Sequence, residues 1–204
     1  DRVPMCGELN QQIVRESITG EKLDLDRPKA APRPPVLCPG CPHRSTFFTL
    51  NRLGIGSTSD IGCYTLGVMP PLEGIDTCIC MGAAIGNALG LEKAIGREFA
   101  GKMVAVIGDS TFVHSGITGL ADVAYNRGAT TVIIVDNSTT AMTGHQQHPG
   151  TGRTLMGEET TKLDYIALAH ALGVKDARRV DAYDMEAVKK AIRDRDGQAI
   201  QDLA

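Results

Sequence analysis

Two apolar runs, Met103-Val104-Ala105-Val106-Ile107 and Thr131-Val132-Ile133-Ile134-Val135, organise the chain, and each has the length and β-branched content of a strand. Between them, from Gly116 onward, Ile117, Leu120, Ala121 and Ala124 recur at three-and-four spacing, which predicts a crossover helix with one face buried on a sheet. The combination is a βαβ unit. From Pro35 onward the whole chain keeps this alternation. A helix is predicted from about Ser45 to Leu53, followed by an irregular loop over residues 54–75 marked by glycines and Pro70-Pro71. Ile79 to Met81 then lead into a helix over about Ala83 to Gly96, whose small residues Ala83, Ala84, Gly86, Ala88 and Gly90 suit close packing. Helices near Leu163–Leu172 and Asp184–Asp196 flank a short strand around Arg178–Val180. The fold class expected is α/β, a doubly wound, mainly parallel sheet with helices on both faces.

The ends follow a different pattern. Residues 8–18 predict a short helix, and Arg27-Pro28-Lys29-Ala30-Ala31-Pro32-Arg33-Pro34-Pro35 an extended, stiff connector. Residues 1–35 therefore read as a linker and remnant of a preceding domain, and 36–204 as one domain. After the helix at about 184–195 another strand is due, yet only the polar stretch Gly197–Ala204 follows, so the domain reads as C-terminally truncated.

Composition narrows the classes. With 204 residues, 42% apolar content and a net charge of −3, the chain carries enough apolar residues for a full core and has no basic stripe that would point to nucleic acid. No apolar run approaches the roughly 18 residues of a membrane span. Six cysteines without a disulfide framework favour a reducing compartment, and the expectation is cytoplasmic.

The chemistry lies at the ends of the two apolar runs. Gly108-Asp109-Ser110-Thr111 follows the first, and Asp136-Asn137-Ser138-Thr139-Thr140-Ala141-Met142-Thr143 the second. Parallel sheets bind ligands outside the carboxyl ends of their strands, so Asp109 and Asn137 are placed to converge. Mg²⁺ takes hard oxygen ligands and fills its shell with phosphate oxygens and water. The Asp109 carboxylate, the Asn137 amide oxygen and the Thr139 carbonyl form a suitable protein half. Gly108 allows a close backbone turn, and Ser110 and Thr111 open the next helix, a favourable place for a diphosphate. Elsewhere, Cys38-Pro39-Gly40-Cys41 reads as a tight turn carrying two thiols, compatible with zinc, a redox pair or part of an iron–sulfur site.

Gly-Asp followed, 27 residues after the Asp, by Asp-Asn resembles the thiamine diphosphate motif, with Ser110 where most of that superfamily has Gly. Cys38-Pro39-Gly40-Cys41-Pro42-His43-Arg44, Asp60-Ile61-Gly62-Cys63-Tyr64-Thr65-Leu66-Gly67 and Met81-Gly82-Ala83-Ala84-Ile85-Gly86 precede it in order. Together these segments, spanning roughly residues 36–195, resemble the thiamine diphosphate-binding domain in the large subunit of indolepyruvate:ferredoxin oxidoreductase, one of the 2-oxoacid:ferredoxin oxidoreductases.

The resemblance implies a ferredoxin-dependent enzyme that oxidatively decarboxylates aryl pyruvates to acyl-CoA, with this domain holding the diphosphate and Mg²⁺. It implies cofactor contacts from Asp60, Ile61, Gly62 and Cys63, from Met81 and Gly82, and from Gly108, Asp109, Ser110 and Thr111. Asn137, Thr139, Thr140, Ala141, Met142 and Thr143 complete that set, and His43 and His145 are the catalytic candidates. It adds Cys63 to Cys38 and Cys41 as ligands of a possible [4Fe–4S] cluster, whose fourth ligand either lies beyond Ala204 or is replaced by Cys78 or Cys80, the alternative being that no cluster sits in this domain. The partners implied are a pyrimidine-binding domain carrying the activating glutamate, a second subunit, ferredoxin, coenzyme A and the 2-oxoacid, in a homodimer or heteromer. His114 is a further histidine near the motifs, while His148 reads as a loop residue, His170 as structural, and Glu92 and Asp122 as solvated helix faces. Two other readings are a non-oxidative thiamine diphosphate-dependent decarboxylase or carboligase, and a zinc-stabilised α/β binding module without catalysis.

Overall fold

The computed structural model describes residues 3–22, 31–194 and, as backbone, the strand at 199–203. Residues 27–30 of the predicted connector, and 197, 198 and 204 of the terminal stretch, lie outside the described residues. The chain divides into two compact units, Asp1–Pro34 and Pro35–Ala204. The first contains α1 (Gln11–Thr19), opened by Asn10, whose side chain accepts from the Ile13 N–H at 3.0 Å, and closed by Gly20 in the left-handed region.

The second unit is built on a six-stranded parallel sheet in the order β2-β1-β3-β4-β6-β5, from β1 (Gly56–Ser59), β2 (Thr77–Cys78), β3 (Met103–Gly108), β4 (Thr131–Asp136), β5 (Ala177–Asp181) and β6 (Ala199–Leu203). Parallel pairing leaves both faces of the central strands to be covered. Val104, Val106, Ile133 and Val135 point to one face with Phe47, Leu50, Val188 and Ile192, which come from α2 (His43–Leu53) and α7 (Met185–Arg193). Ala105, Ile107, Val132 and Ile134 point to the other, with Ile85 and Leu89 of α3 (Ala83–Ile95), Leu120 of α5 (Ile117–Tyr125) and Tyr165 of α6 (Tyr165–Ala171). The doubly wound α/β arrangement expected from the sequence is the one observed.

Three elements differ from the sequence reading. The segment 54–75 is not an irregular loop throughout. Gly56-Ser57-Thr58-Ser59 forms β1, buried beside β3, and Cys63–Val68 forms a 3₁₀ turn. No apolar side chain marks β1. Its hydroxyls instead bond inward, Ser57 Oγ to the Gly74 carbonyl at 2.7 Å and Thr58 Oγ1 to that of Ala84 at 2.8 Å, which removes the cost of burying them. The crossover helix begins before Gly116, with a first turn α4 (Asp109–Thr111) and a wide π-type turn over Phe112–Gly116 ahead of α5. At the other end, Ala199–Leu203 supplies the strand that the sequence reading found missing, pairing with both β4 and β5. Its Ala-Ile-Gln-Asp-Leu composition is too short and polar to register as a strand.

Glu92 corrects a further expectation. It lies on α3 but is buried. Its carboxylate accepts from the Ala129 N–H at 2.8 Å and from Thr130 Oγ1 at 2.8 Å, fastening α3 to the turn that enters β4. Asp122 is exposed, as expected of a solvated face. Among the described residues no helix is long and apolar enough to cross a membrane. Glu92→Ala takes the acceptor from the part-buried Ala129 N–H and the buried Thr130 hydroxyl and is expected to lower stability by about 2–4 kcal/mol, with Glu92→Gln intermediate, as read from urea unfolding midpoints.

Candidate functional site

The strand order reverses between β1 and β3: from β1 the chain runs outward to β2, and then returns through α3 to β3 on the other side. A crevice opens at such a reversal, outside the carboxyl ends of the strands. Here three strands end in a buried aspartate, Asp60 after β1, Asp109 after β3 and Asp136 as the last residue of β4. A cavity of about 490 Å³, including its open mouth, lies against these ends.

Asp60 organises the β1 side without lining the cavity. Its Oδ2 accepts from the Gly82 N–H at 2.9 Å and its Oδ1 from the Tyr64 hydroxyl, while its carbonyl accepts from Thr65 Oγ1 at 2.6 Å. Burial raises its pKa, and these hydrogen bonds oppose the rise. Asp60 and Gly82, both expected to touch cofactor, are thus consumed in joining the end of β1 to the start of α3. Gly82 has φ +86°, and a Cβ there would sit 2.3 Å from Ser115 Oγ, so the approach of α3 to the crossover helix requires glycine.

Tyr64, which the sequence reading did not single out, forms the floor. Its ring passes so close to Gly62 and Gly108 that a Cβ at either would lie 2.3 or 2.4 Å from it. Burial, followed by the neighbouring Asp60 carboxylate, pushes its hydroxyl pKa well up, so the group stays protonated and donates to Asp60.

Asp109 is 3% exposed, and its Oδ2 lies 3.0 Å from His148 Nε2. Burial alone would raise its pKa. Hydrogen bonds from His148 and from the Asp136 carboxyl outweigh that and hold it below the ordinary value, which keeps the carboxylate ionised. The expectation that His148 is merely a loop residue is therefore wrong. No sequence spacing signalled the contact, because the intervening loop carries no periodicity. Asp136 in turn accepts from the Ser138 N–H at 2.7 Å, an Asx turn that holds Ser138 at φ +54° and directs Asn137 and Thr139 to the cavity. Thr140 Oγ1 donates to Ser110 Oγ at 2.7 Å and ties the two motif segments together.

The cavity gathers Ile61, Gly62, Cys63, Met81, Gly108, Asp109, Ser110 and Thr111, together with Asn137, Thr139, Thr140, Ala141, Met142 and Thr143. All fourteen were expected. His43 also lines it, 2% exposed, with a buried Nδ1 that has no partner among the described residues and its ring edge-on to Tyr64 at 6.4 Å. Burial lowers its pKa to about 4, against the opposing pull of Asp109, so the imidazole is neutral at neutral pH. His145 is exposed at φ +62° in the loop beyond Thr143 and is not among the residues that line the cavity. His114 and His170 are exposed as well.

Asp109, Asn137 and Thr139 all line the cavity, beside the helix that starts at Asp109, and a carboxylate, an amide oxygen and a backbone carbonyl are a donor set of the kind that suits Mg²⁺ and a diphosphate. A cluster is less well provided for. All six cysteines are free thiols, and Cys41, its pKa raised by burial, lies within electrostatic reach of Cys38 and Cys63. Among the described residues, however, no three His, Cys, Asp or Glu side chains converge as metal ligands, so the expected Fe–S set does not fit as placed and no step is drawn through it. Cys78 and Cys80, the suggested substitutes, are exposed, with Cys78 Sγ 3.5 Å from the Asp60 carbonyl.

Residues 60–201 match the family model of the thiamine pyrophosphate enzyme, C-terminal TPP binding domain, and the chain belongs to that family. Within it, the chain is 44% identical over 193 residues to the indolepyruvate oxidoreductase subunit IorA of Archaeoglobus fulgidus, covering 91% of this chain and 30% of that protein. It is 45% identical over 189 residues to the IorA subunit of Pyrococcus horikoshii, covering 84% and 29%. The chain thus spans about a third of the length of the curated relatives it matches. The same fold occurs in the 2-oxoglutarate:ferredoxin oxidoreductase from Magnetococcus marinus, solved with 2-oxoglutarate, coenzyme A and succinyl-CoA bound, at a TM-score of 0.69 and 18% identity over 85% of this chain and 64% of that one. Benzoylformate decarboxylase from Polynucleobacter necessarius follows at 0.52 and 14%, over 81% and 32%.

Two outcomes follow from this geometry. Gly108→Ala drives a methyl into the Tyr64 ring and is expected to cost about 1–3 kcal/mol in thermal or urea unfolding. His43 binds a proton more weakly when folded, so its contribution is complete above pH 6.5 and is lost as pH falls from 6.5 towards about 4. In His43→Gln the fall in stability across that window should be shallower by up to ~1.4 kcal/mol per pH unit, measured by unfolding at a series of pH values.

Proposed function

We infer that this chain is the part of a ferredoxin-dependent 2-oxoacid oxidoreductase that holds thiamine diphosphate and Mg²⁺. In this reading the whole enzyme oxidatively decarboxylates aryl pyruvates, indolepyruvate among them, to acyl-CoA. The observation that carries the inference is the meeting of Asp109, Asn137 and Thr139 in the lining of a single cavity, in a chain that belongs to a thiamine pyrophosphate-binding family. The 44% identity to IorA supports the substrate class. Family membership also displaces the reading of a zinc-stabilised binding module.

When bound, thiamine diphosphate supplies the nucleophilic carbon and the electron sink that 2-oxoacid decarboxylation needs. The protein's part is binding, orientation and exclusion of water. Asp109, Asn137 and the Thr139 carbonyl would hold Mg²⁺, and the N–H groups of Ser110 and Thr111 would be available to the diphosphate. Ile61, Met81 and Met142 stand half-exposed around the mouth, apolar surfaces suited to covering the cofactor rings. His43, held neutral by burial and with an Nδ1 that meets no partner among the described residues, offers an uncharged imidazole to a ligand in the cavity. Cys63 lines the cavity as a thiol whose pKa burial raises. A pyrimidine-binding domain, a second subunit, ferredoxin as electron acceptor and coenzyme A as acyl acceptor complete the enzyme in this reading, in the cytoplasm as a homodimer or heteromer.

The test is calorimetric titration of thiamine diphosphate and Mg²⁺ into the complete, anaerobically purified enzyme, beside Asp109→Ala and with iron and sulfide assayed on the same sample. Mg²⁺-dependent binding weakened at least about 100-fold in the variant, with indolepyruvate-dependent ferredoxin reduction in the parent, is the expected result. Carbon dioxide release without iron or ferredoxin reduction would instead favour a decarboxylase, and absence of cofactor binding would refute the assignment.

A further inference from the structure

We propose that His148 is a positioning residue for the divalent cation, a latch that fixes the Asp109 carboxylate so that it presents a single oxygen to the metal. The proposal rests on the functional reading above. His148 Nδ1 accepts from the Gly150 N–H at 3.2 Å, which leaves Nε2 as the nitrogen that carries a proton. Nε2–H then donates to Asp109 Oδ2 at 3.0 Å, with the two side chains 5% and 4% exposed. An oxygen engaged in that way is not available to chelate a cation together with its twin.

The latch is itself held from both sides. The His148 carbonyl accepts from the Thr151 N–H and from Thr151 Oγ1, each at 2.9 Å, and the Pro149 carbonyl accepts from the Leu163 N–H at 3.0 Å, just ahead of α6. Gly150 admits no side chain, since a Cβ would lie 2.0 Å from the Tyr165 hydroxyl and 2.8 Å from His148 Cε1. The turn at 148–151 is therefore packed against the end of β3 through His148, whose Nε2 meets the proposed metal ligand.

One-oxygen coordination matters for cation choice. Mg²⁺ demands a tight octahedral shell of single oxygens, whereas Ca²⁺ accepts a carboxylate through both. Without His148, Asp109 Oδ2 loses its imidazole donor and becomes available to a cation beside its twin, which favours the larger ion.

The experiment measures Mg²⁺ and Ca²⁺ affinity by titration, in the presence of thiamine diphosphate, for the complete enzyme and for Asp109→Ala, His148→Ala and His148→Gln. Unfolding of each is followed without metal. His148→Ala should weaken Mg²⁺ binding about 10- to 100-fold and Ca²⁺ binding much less, narrowing the preference for Mg²⁺. His148→Gln, which keeps an amide N–H near the position of Nε2, should recover most of the preference. Unchanged Mg²⁺ affinity in His148→Ala, or equal losses for both ions alongside a matching loss of metal-free stability, would overturn the latch while leaving the thiamine reading intact, as long as Asp109→Ala still abolishes binding. If His148→Ala does not fold, His148→Asn, whose shorter amide falls short of Asp109, takes its place, and a narrowed preference supports the latch while a parental preference overturns it. A parent enzyme that binds neither cation with the cofactor would overturn both.

Discussion

Carboxylates buried at the carboxyl edge of the sheet set the terms for everything around them. An aspartate removed from water must be given donors, and the three at the ends of β1, β3 and β4 draw theirs from different parts of the chain. Asp60 takes the start of α3 and the Tyr64 hydroxyl, Asp109 takes His148, and Asp136 takes Ser138. The loops that form the cavity are placed by those demands. Asp109 differs from the other two in facing the cavity, where an oxygen can serve a ligand as well as the fold.

The sheet supplies the rigidity this arrangement needs. β3 and β4 are apolar on both faces and sandwiched between helices, so their ends are fixed to the precision of a packed core. β1 reaches similar burial by another route. Its Ser and Thr hydroxyls bond to the carbonyls of Gly74 and Ala84, which lets small residues bring α3 and the 3₁₀ turn close to the strand ends. Tyr64 fits into the space left by Gly62 and Gly108 and leaves a cavity wall of backbone and short side chains. A diphosphate, which is recognised largely by backbone N–H groups, is served by such a wall.

Proton chemistry within the site is divided by environment. His43 is held neutral by burial, Asp109 is held ionised by its donors, and the Tyr64 hydroxyl is held protonated. Three titratable groups in one region thus keep distinct states at neutral pH, and His43 is the one with a buried nitrogen that meets no partner among the described residues.

The sequence by itself determined the doubly wound sheet, the βαβ unit at its centre and the placing of Asp109 and Asn137 at neighbouring strand ends. Each rests on short-range information: β-branched runs for β3 and β4, three-and-four spacing for the crossover helix, and strand ends that must lie side by side in a parallel sheet. The ordered motifs from Cys38 to Gln146 added the family. What only the tertiary structure decided is what depends on a partner distant in the chain. His148 is separated from Asp109 by β4 and an aperiodic loop, and Glu92 accepts from residues beyond α5, so neither burial is written in local pattern. β1 and β6 escaped because polar strands are stabilised by neighbours rather than by their own hydrophobicity. His145 sits inside a motif yet faces solvent, since adjacency in sequence fixes the path of the backbone and leaves the direction of a side chain to the packing around it.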